Sequence, residues 1–165
     1  MNKEEILGKI NRTKARLAYL EEKLKECKYG RWKPEIGEYY FFVDHNGEVK
    51  MNCFEPLNEG DVGCYNAYNC FQTYVQAKAE AEKILVRRML EDIAKRLNKG
   101  EKIDWNDETQ LKFFIHFDVQ FDKIMSYHRY SKKEQGTVYS LSDKFLYVAI
   151  KEIGEERLEK YLKGE

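Results

Sequence analysis

Only two prolines interrupt 165 residues, and no apolar run approaches the roughly 20 residues that span a bilayer. With 35% of residues charged and a mean hydropathy of −0.75, membrane insertion is not expected. The opening residues MNKEEILGKINR are charged and lack an apolar stretch with a small-residue cleavage site, so a cytoplasmic location is expected. Metal-ligand spacing is missing too. Cys27, Cys53, Cys64 and Cys70 form no C-x-x-C pair, and His45, His116 and His128 show no H-x-x-x-H spacing. Zinc needs four closely placed soft or imidazole ligands, so neither a metal site nor a cofactor is expected, and the thiols should be free. No phosphate-cradling glycine loop, nucleophile elbow or His-Glu metal cluster occurs, which leaves no catalytic signature.

What is present begins with charge. Twenty-nine basic residues balance twenty-nine acidic ones, so the chain as a whole is not drawn to nucleic acid, and direct nucleic-acid binding is not expected. The balance is uneven along the chain. Residues 1–33 carry a net +5, 34–76 a net −6, 77–102 a net +3, 103–122 a net −4, 123–133 a net +4 without one acid, and 134–165 a net −2. Solvated helix faces beside acidic loops would produce this pattern, and so would separated patches that meet a charged partner.

Residues 2–28 hold no proline, and Ile6, Ile10, Thr13, Leu17, Leu20, Leu24 and Cys27 recur at alternating intervals of four and three. That is a heptad seam, too narrow to be buried by one helix. A helix of this length runs about 40 Å, more than a small domain needs on its surface. A homodimer held through Ile6, Ile10, Leu17, Leu20 and Leu24 is therefore expected; the alternative folds the stripe back on the chain's own sheet. The expected organisation is an N-terminal coiled-coil helix over 1–30 and an α+β domain over 31–165, 165 residues being too few for a two-domain enzyme.

Tyr29-Gly30 and Pro34 end the first helix. The stretch 38–54 centres on Asn46-Gly47, which suits a two-residue type I′ hairpin. Pairing His45 with Glu48 would put Tyr40, Phe42, Val49, Met51 and Cys53 on the core face, leaving Tyr39 and Phe41 on the other. Residues 55–69 are rich in Gly, Asn and Asp and read as a long loop. Thr73 with Gln76 then opens a helix running to Gly100, with a stripe of Ala77, Ala81, Ile84, Leu85, Met89, Ile93 and Leu97. Two strands near 112–118 and 123–130 follow, then a short one at 137–140. A helix capped by Ser142 is broken at Gly154, before a final turn or two. The expected order is α-ββ-α-βββ-α, an antiparallel sheet packed by helices. Hairpin, irregular stretch and capped helix occur twice, at 38–99 and 112–153, a faint echo that generic sheet-on-helix packing also yields.

Twelve Tyr, nine Phe and two Trp exceed what one small core requires. Tyr39 and Phe41 on the outer hairpin face, Tyr65 and Tyr68 on the loop, and Arg87 or Arg88 from the central helix could stack and charge-pair with a nucleotide. The acidic run Glu55, Glu59 and Asp61 on the same loop suits a protein partner instead. His116, Asp118, Asp122 and His128 around the second hairpin offer a weaker acid–base constellation.

The runs Trp32–Phe42 (WKPEIGEYYFF) with Asn46-Gly47, Asn69–Thr73 (NCFQT), Ile103–Asp107 (IDWND) and Ile153–Leu162 (IGEERLEKYL) resemble uncharacterised accessory proteins of phages and prophages of low-GC Gram-positive bacteria. The resemblance carries no catalytic residues, and this chain departs from the pattern in its Cys- and Tyr-bearing segment 55–68. It implies a genomic setting in which small proteins without enzymatic motifs often counter host defences. The function this implies is a non-catalytic counter-defence binder in the host bacterial cytoplasm. It would block a defence protein such as a CRISPR effector, an anti-CRISPR role, or sequester a nucleotide second messenger. A nucleotide-acting enzyme and a DNA-binding phage regulator are the alternatives.

Overall fold

The computed structural model describes residues 8–10, 13, 14, 16, 17 and 31–164. The first seven of these are helical, with Ile10 and Leu17 exposed. Ile6, Leu20, Leu24 and Cys27 of the heptad seam lie outside the described residues.

From residue 31 the elements are β1 Tyr39–Val43, β2 Val49–Cys53, α1 Glu59–Asn66, α2 Tyr74–Leu97, β3 Lys112–Asp118, β4 Lys123–Arg129, β5 Tyr139–Ser140, α3 Phe145–Ile153 and α4 Glu155–Lys163. The chain mixes helix with two small antiparallel sheets, β1-β2 and β4-β3-β5. The order differs from the expected one by an additional helix, α1, and by α4, which is a full nine-residue helix. The described residues divide into two compact units. One takes in the residues up to Phe42 together with Met51–Tyr74, the other Val43–Lys50 and everything from Val75.

The hairpin departs from expectation in its turn. Asp44 Oδ1 accepts from the backbone N–H groups of Asn46 and Glu48, both at 2.9 Å. Gly47 N donates to Asp44 O, and Asp44 N to Glu48 O. Gly47 has φ +83°, while His45 and Asn46 are not among the residues with positive φ. This is a three-residue loop, a type I turn followed by a left-handed glycine, and it shifts the pairing by one residue. Every β2 side chain therefore changes face. Phe54 N bonds Glu38 O, so Tyr40 stands opposite Asn52 and Phe41 opposite Met51. Tyr40, Phe54 and Cys70 form the buried cluster of the first unit, with Trp32, Phe42, Cys64 and Tyr65 packed around it. Met51 and Val49, expected in the core, are on the other face, and Met51 is exposed.

The segment expected as a loop contains α1. Its sequence EGDVGCYN has two glycines and no apolar stripe, so it carries no helical periodicity to read. Its ends hold it instead. The Asn58 side chain accepts from Gly60 N, and Glu59 and Asp61 lie in the first turn where the helix dipole favours acids. At the other end Tyr68 N bonds Tyr65 O and Asn69 N bonds Cys64 O, a Schellman closure.

In the second unit α2 buries Ala77, Ala81, Val86, Leu90, Ile93 and Ala94. The expected stripe is right at Ala77, Ala81 and Ile93, but Leu85 is exposed and Val86 and Leu90 take the deeper places. They join Ile115, Phe145, Ala149, Ile153 and Leu158 in one core. The strands β3 and β4 match their expected ranges closely. Phe114 lies opposite Tyr127 and His116 opposite Met125, with β5 on the far side of β3. Ser142 precedes α3, its Oγ accepting from Lys144 N. Trp105 stands edge-on to Tyr139 at 4.9 Å, and the buried Lys112 donates from Nζ to Asp107 O at 2.6 Å.

Among the described residues no helix is long and apolar enough to cross a membrane.

Candidate functional site

The one-residue shift in the hairpin builds an outer sheet face from Tyr39, Phe41, Met51 and Cys53. Tyr39 is 62% exposed and Met51 59%. Phe41 is half-buried, its ring edge-on to Tyr74 at 6.0 Å, and its backbone is bridged to Phe71. Tyr39 and Phe41 thus lie where the sequence placed them. Met51 joins them only because the turn holds three residues, a detail that the Asn-Gly pair alone does not disclose.

The acidic run is split. Glu55 and Glu59 are exposed, but Asp61 is 1% exposed and turned inward. Its Oδ1 accepts from Tyr40 Oη at 2.8 Å and Asn52 Nδ2 at 2.6 Å, and its Oδ2 from Glu55 N at 3.0 Å. Three donors compensate the loss of water around a carboxylate. Asp61 is therefore a strut between β1, β2 and α1, a correction to its reading as a partner contact. Burial, reinforced by the hydrogen bond to Asp61 and by Cys64 nearby, raises the Tyr40 phenol above its ordinary range.

Tyr65 and Tyr68 are corrected too. They lie on α1 and its closing turn rather than on an open loop, and Tyr65 packs against the buried cluster. Together they hold the guanidinium of Arg31, whose Cζ is 4.0 Å from the Tyr65 ring centroid and 4.1 Å from that of Tyr68. Lys33 Nζ is 5.3 Å from Tyr65. Each such contact is worth about 0.5–2 kcal/mol. That gain offsets the left-handed backbone of Tyr68, φ +60°, which costs about 1–2 kcal/mol in a residue with a Cβ. Arg31 Nη2 is buried without a hydrogen-bond partner. The inner faces of both rings are occupied by a cation, so a base cannot stack between them. The sequence signal for this clamp is the cation before Trp32, which only the Schellman turn brings to the tyrosines.

Arg87 and Arg88 are exposed on α2 in the second unit, and Arg87 Nε already pairs with Glu91 at 3.0 Å. Cys53, Cys64 and Cys70 are free thiols. Burial pushes the Cys70 thiol up to about 11, and Cys64 adds to the shift, so it is protonated and inert at neutral pH.

The acid–base constellation is dispersed. His116 and Asp118 share a face of β3, His128 points to the opposite face of β4, and the exposed Asp122 is 3.9 Å from Lys163. His116 instead lies against Tyr127 at 4.4 Å and Phe114 at 5.7 Å. Among the described residues no group of three His, Cys, Asp or Glu side chains is placed to hold a metal ion.

Comparison with protein families, curated proteins and solved structures finds no match to this chain.

Proposed function

We propose that the chain is a non-catalytic, phage-encoded counter-defence protein that acts in the cytoplasm of the host bacterium by docking on a defence protein such as a CRISPR effector. The phage setting rests on the resemblance of its Trp32–Phe42, Asn69–Thr73, Ile103–Asp107 and Ile153–Leu162 runs. The docking reading is carried by one observation: Tyr39 and Met51 project from the hairpin face opposite the buried cluster, with Phe41 between them. Aromatic side chains and Met are enriched at the centres of protein interfaces. In the same unit Glu55 and Glu59 are exposed and unscreened by any described ion pair, which suits the basic surfaces of proteins that handle nucleic acids. Sequestration of a nucleotide is the weaker version, because Arg31 fills the space between Tyr65 and Tyr68. Homodimerisation through Ile10, Leu17 and the rest of the seam belongs to the same proposal.

The test is phage plating on hosts with and without the defence system, using the intact protein, two surface variants and one variant of the Arg31 clamp. Tyr39→Ala with Met51→Ser, and Glu55→Lys with Glu59→Lys, should each lower protection at least tenfold while the melting temperature moves little. Unchanged protection in both variants sinks the reading. Loss restricted to Arg31→Ala with Tyr68→Ala would point back to a ligand at the clamp.

A further inference from the structure

The segment 123–133 carries Lys123, Arg129, Lys132 and Lys133 without an acid, interleaved with Tyr127, His128 and Tyr130. Nothing in the docking reading uses it. The structure makes its first seven residues, 123–129, the outer strand β4 of the larger sheet, since the order is β4-β3-β5 and β4 pairs on one side only, and Tyr130, Lys132 and Lys133 follow the end of that strand. Its free edge therefore presents unpaired backbone groups beside the side chains.

We propose that the β4 edge is a binding site for single-stranded nucleic acid. Tyr127 is 39% exposed; its ring is backed by His116 and Phe114, and its hydroxyl is turned to Asp118 Oδ2 at 3.4 Å, which fixes the ring and leaves its exposed part for a base. Tyr130 is 46% exposed and lies just past the end of β4, its ring edge-on to His128 at 5.7 Å, which puts a second aromatic ring beside the strand's end. The two are three residues apart, at most about 11 Å along the chain, which keeps both within reach of one short flexible strand. Lys132 and Lys133 are exposed and paired with no described carboxylate, whereas Arg129 is held by Glu134 at 2.7 Å and stacks over Phe114. The free lysines supply phosphate contacts and Arg129 supports the platform. Zero net charge for the whole chain does not oppose this, because fields at physiological salt reach only about 8 Å and the patch acts locally. A single strand fits better than a duplex, because its bases are free to stack and its backbone can bend to reach two rings that do not share one plane, whereas the bases of a duplex are already stacked.

Lysines beside an edge strand also serve to discourage sheet-to-sheet pairing, and that explanation predicts no role for the tyrosines. The experiment is fluorescence anisotropy of a labelled oligothymidylate of about 12 nucleotides with the intact protein, repeated from about 50 to 200 mM salt. Binding should be micromolar and should weaken with salt. Lys132→Glu with Lys133→Glu should lower affinity more than tenfold and flatten the logarithmic salt slope by about 1.4, two phosphate contacts at about 0.7 each on a single strand. Tyr130→Ala should lose at least fivefold and Tyr130→Phe should retain affinity, with far-ultraviolet dichroism unchanged in all variants. An absence of binding, equal binding to a duplex, or full binding by the Lys132→Glu, Lys133→Glu variant overturns the proposal. The last result would move the contact to the basic segment 1–33.

Discussion

A carboxylate buried in a unit this small is tolerated only when its acceptor capacity is met, and Asp61 meets it with a phenol, an amide and a backbone N–H. Removing it strands all three donors at once. Asp61→Ala should cost about 3 kcal/mol or more in urea unfolding. Tyr40→Phe, which leaves two donors on Asp61, should cost about 1 kcal/mol. The same tyrosine sets an alkaline limit. Tyr40 and Cys70 are neutral when protonated, and both hold their protons more tightly in the folded chain than when unfolded. Their stabilisation is complete below about pH 8.5, the ordinary thiol value, and is lost as pH rises, first as Cys70 approaches about 11 and then as Tyr40 titrates. Urea midpoints measured from pH 8 to 11 should fall, and the fall should be shallower in Cys70→Ala. A flat profile in the wild type would remove burial as the cause of both shifts.

At the scale of elements, the hairpin shows what a sequence discloses and what it withholds. Asn46-Gly47 announces a turn, and alternation on either side announces strands, but the dipeptide suits either a two-residue loop with both residues left-handed or a three-residue loop with only the glycine so. Asp44 decides between them, because its carboxylate accepts from Asn46 N and Glu48 N and Asp is favoured at the first position of a type I turn. That one choice moved Met51 outward and Phe54 inward. The two loops differ in a measurable way. Gly47→Ala should cost about 1 kcal/mol, the left-handed penalty, since a Cβ there meets nothing within 4 Å. Asn46→Ala should be nearly neutral; in a two-residue loop it would cost as much as the glycine change. Helix α1 was illegible for another reason. Periodicity reports burial of a stripe, and α1 buries one carboxylate and is held by its two ends. The second unit was easier, since β3, β4 and α3 bury regular apolar sets. Of the candidate site, Tyr39 and Phe41 were legible from alternation. Arg31, Met51 and the inward turn of Asp61 depended on register and capping, which local pattern does not encode.

Across the whole molecule the segments of opposite charge make two kinds of association separable. Ile10 and Leu17, seven residues apart on a helical stripe, are 43% and 56% exposed in the single chain, so the described part of the seam still has apolar surface to bury. If the seam pairs with its copy, two segments of net +5 are brought together, and their repulsion is relieved as salt shortens the screening length from about 10 Å at 0.1 M to about 3 Å at 1 M. The homodimer should therefore tighten with salt, in contrast to docking through Glu55 and Glu59, which should weaken. If a copy instead docks its basic segment on the acidic stretch 34–76 of another, salt should dissolve the pair. Light scattering at both salt concentrations should give about twice 19.7 kDa, more completely at high salt. Leu17→Asp with Leu20→Asp should return the chain to 19.7 kDa without loss of the far-ultraviolet signal of the second unit. A wild type that stays monomeric at micromolar concentration in 1 M salt would leave the heptad stripe without its partner and end the dimer proposal.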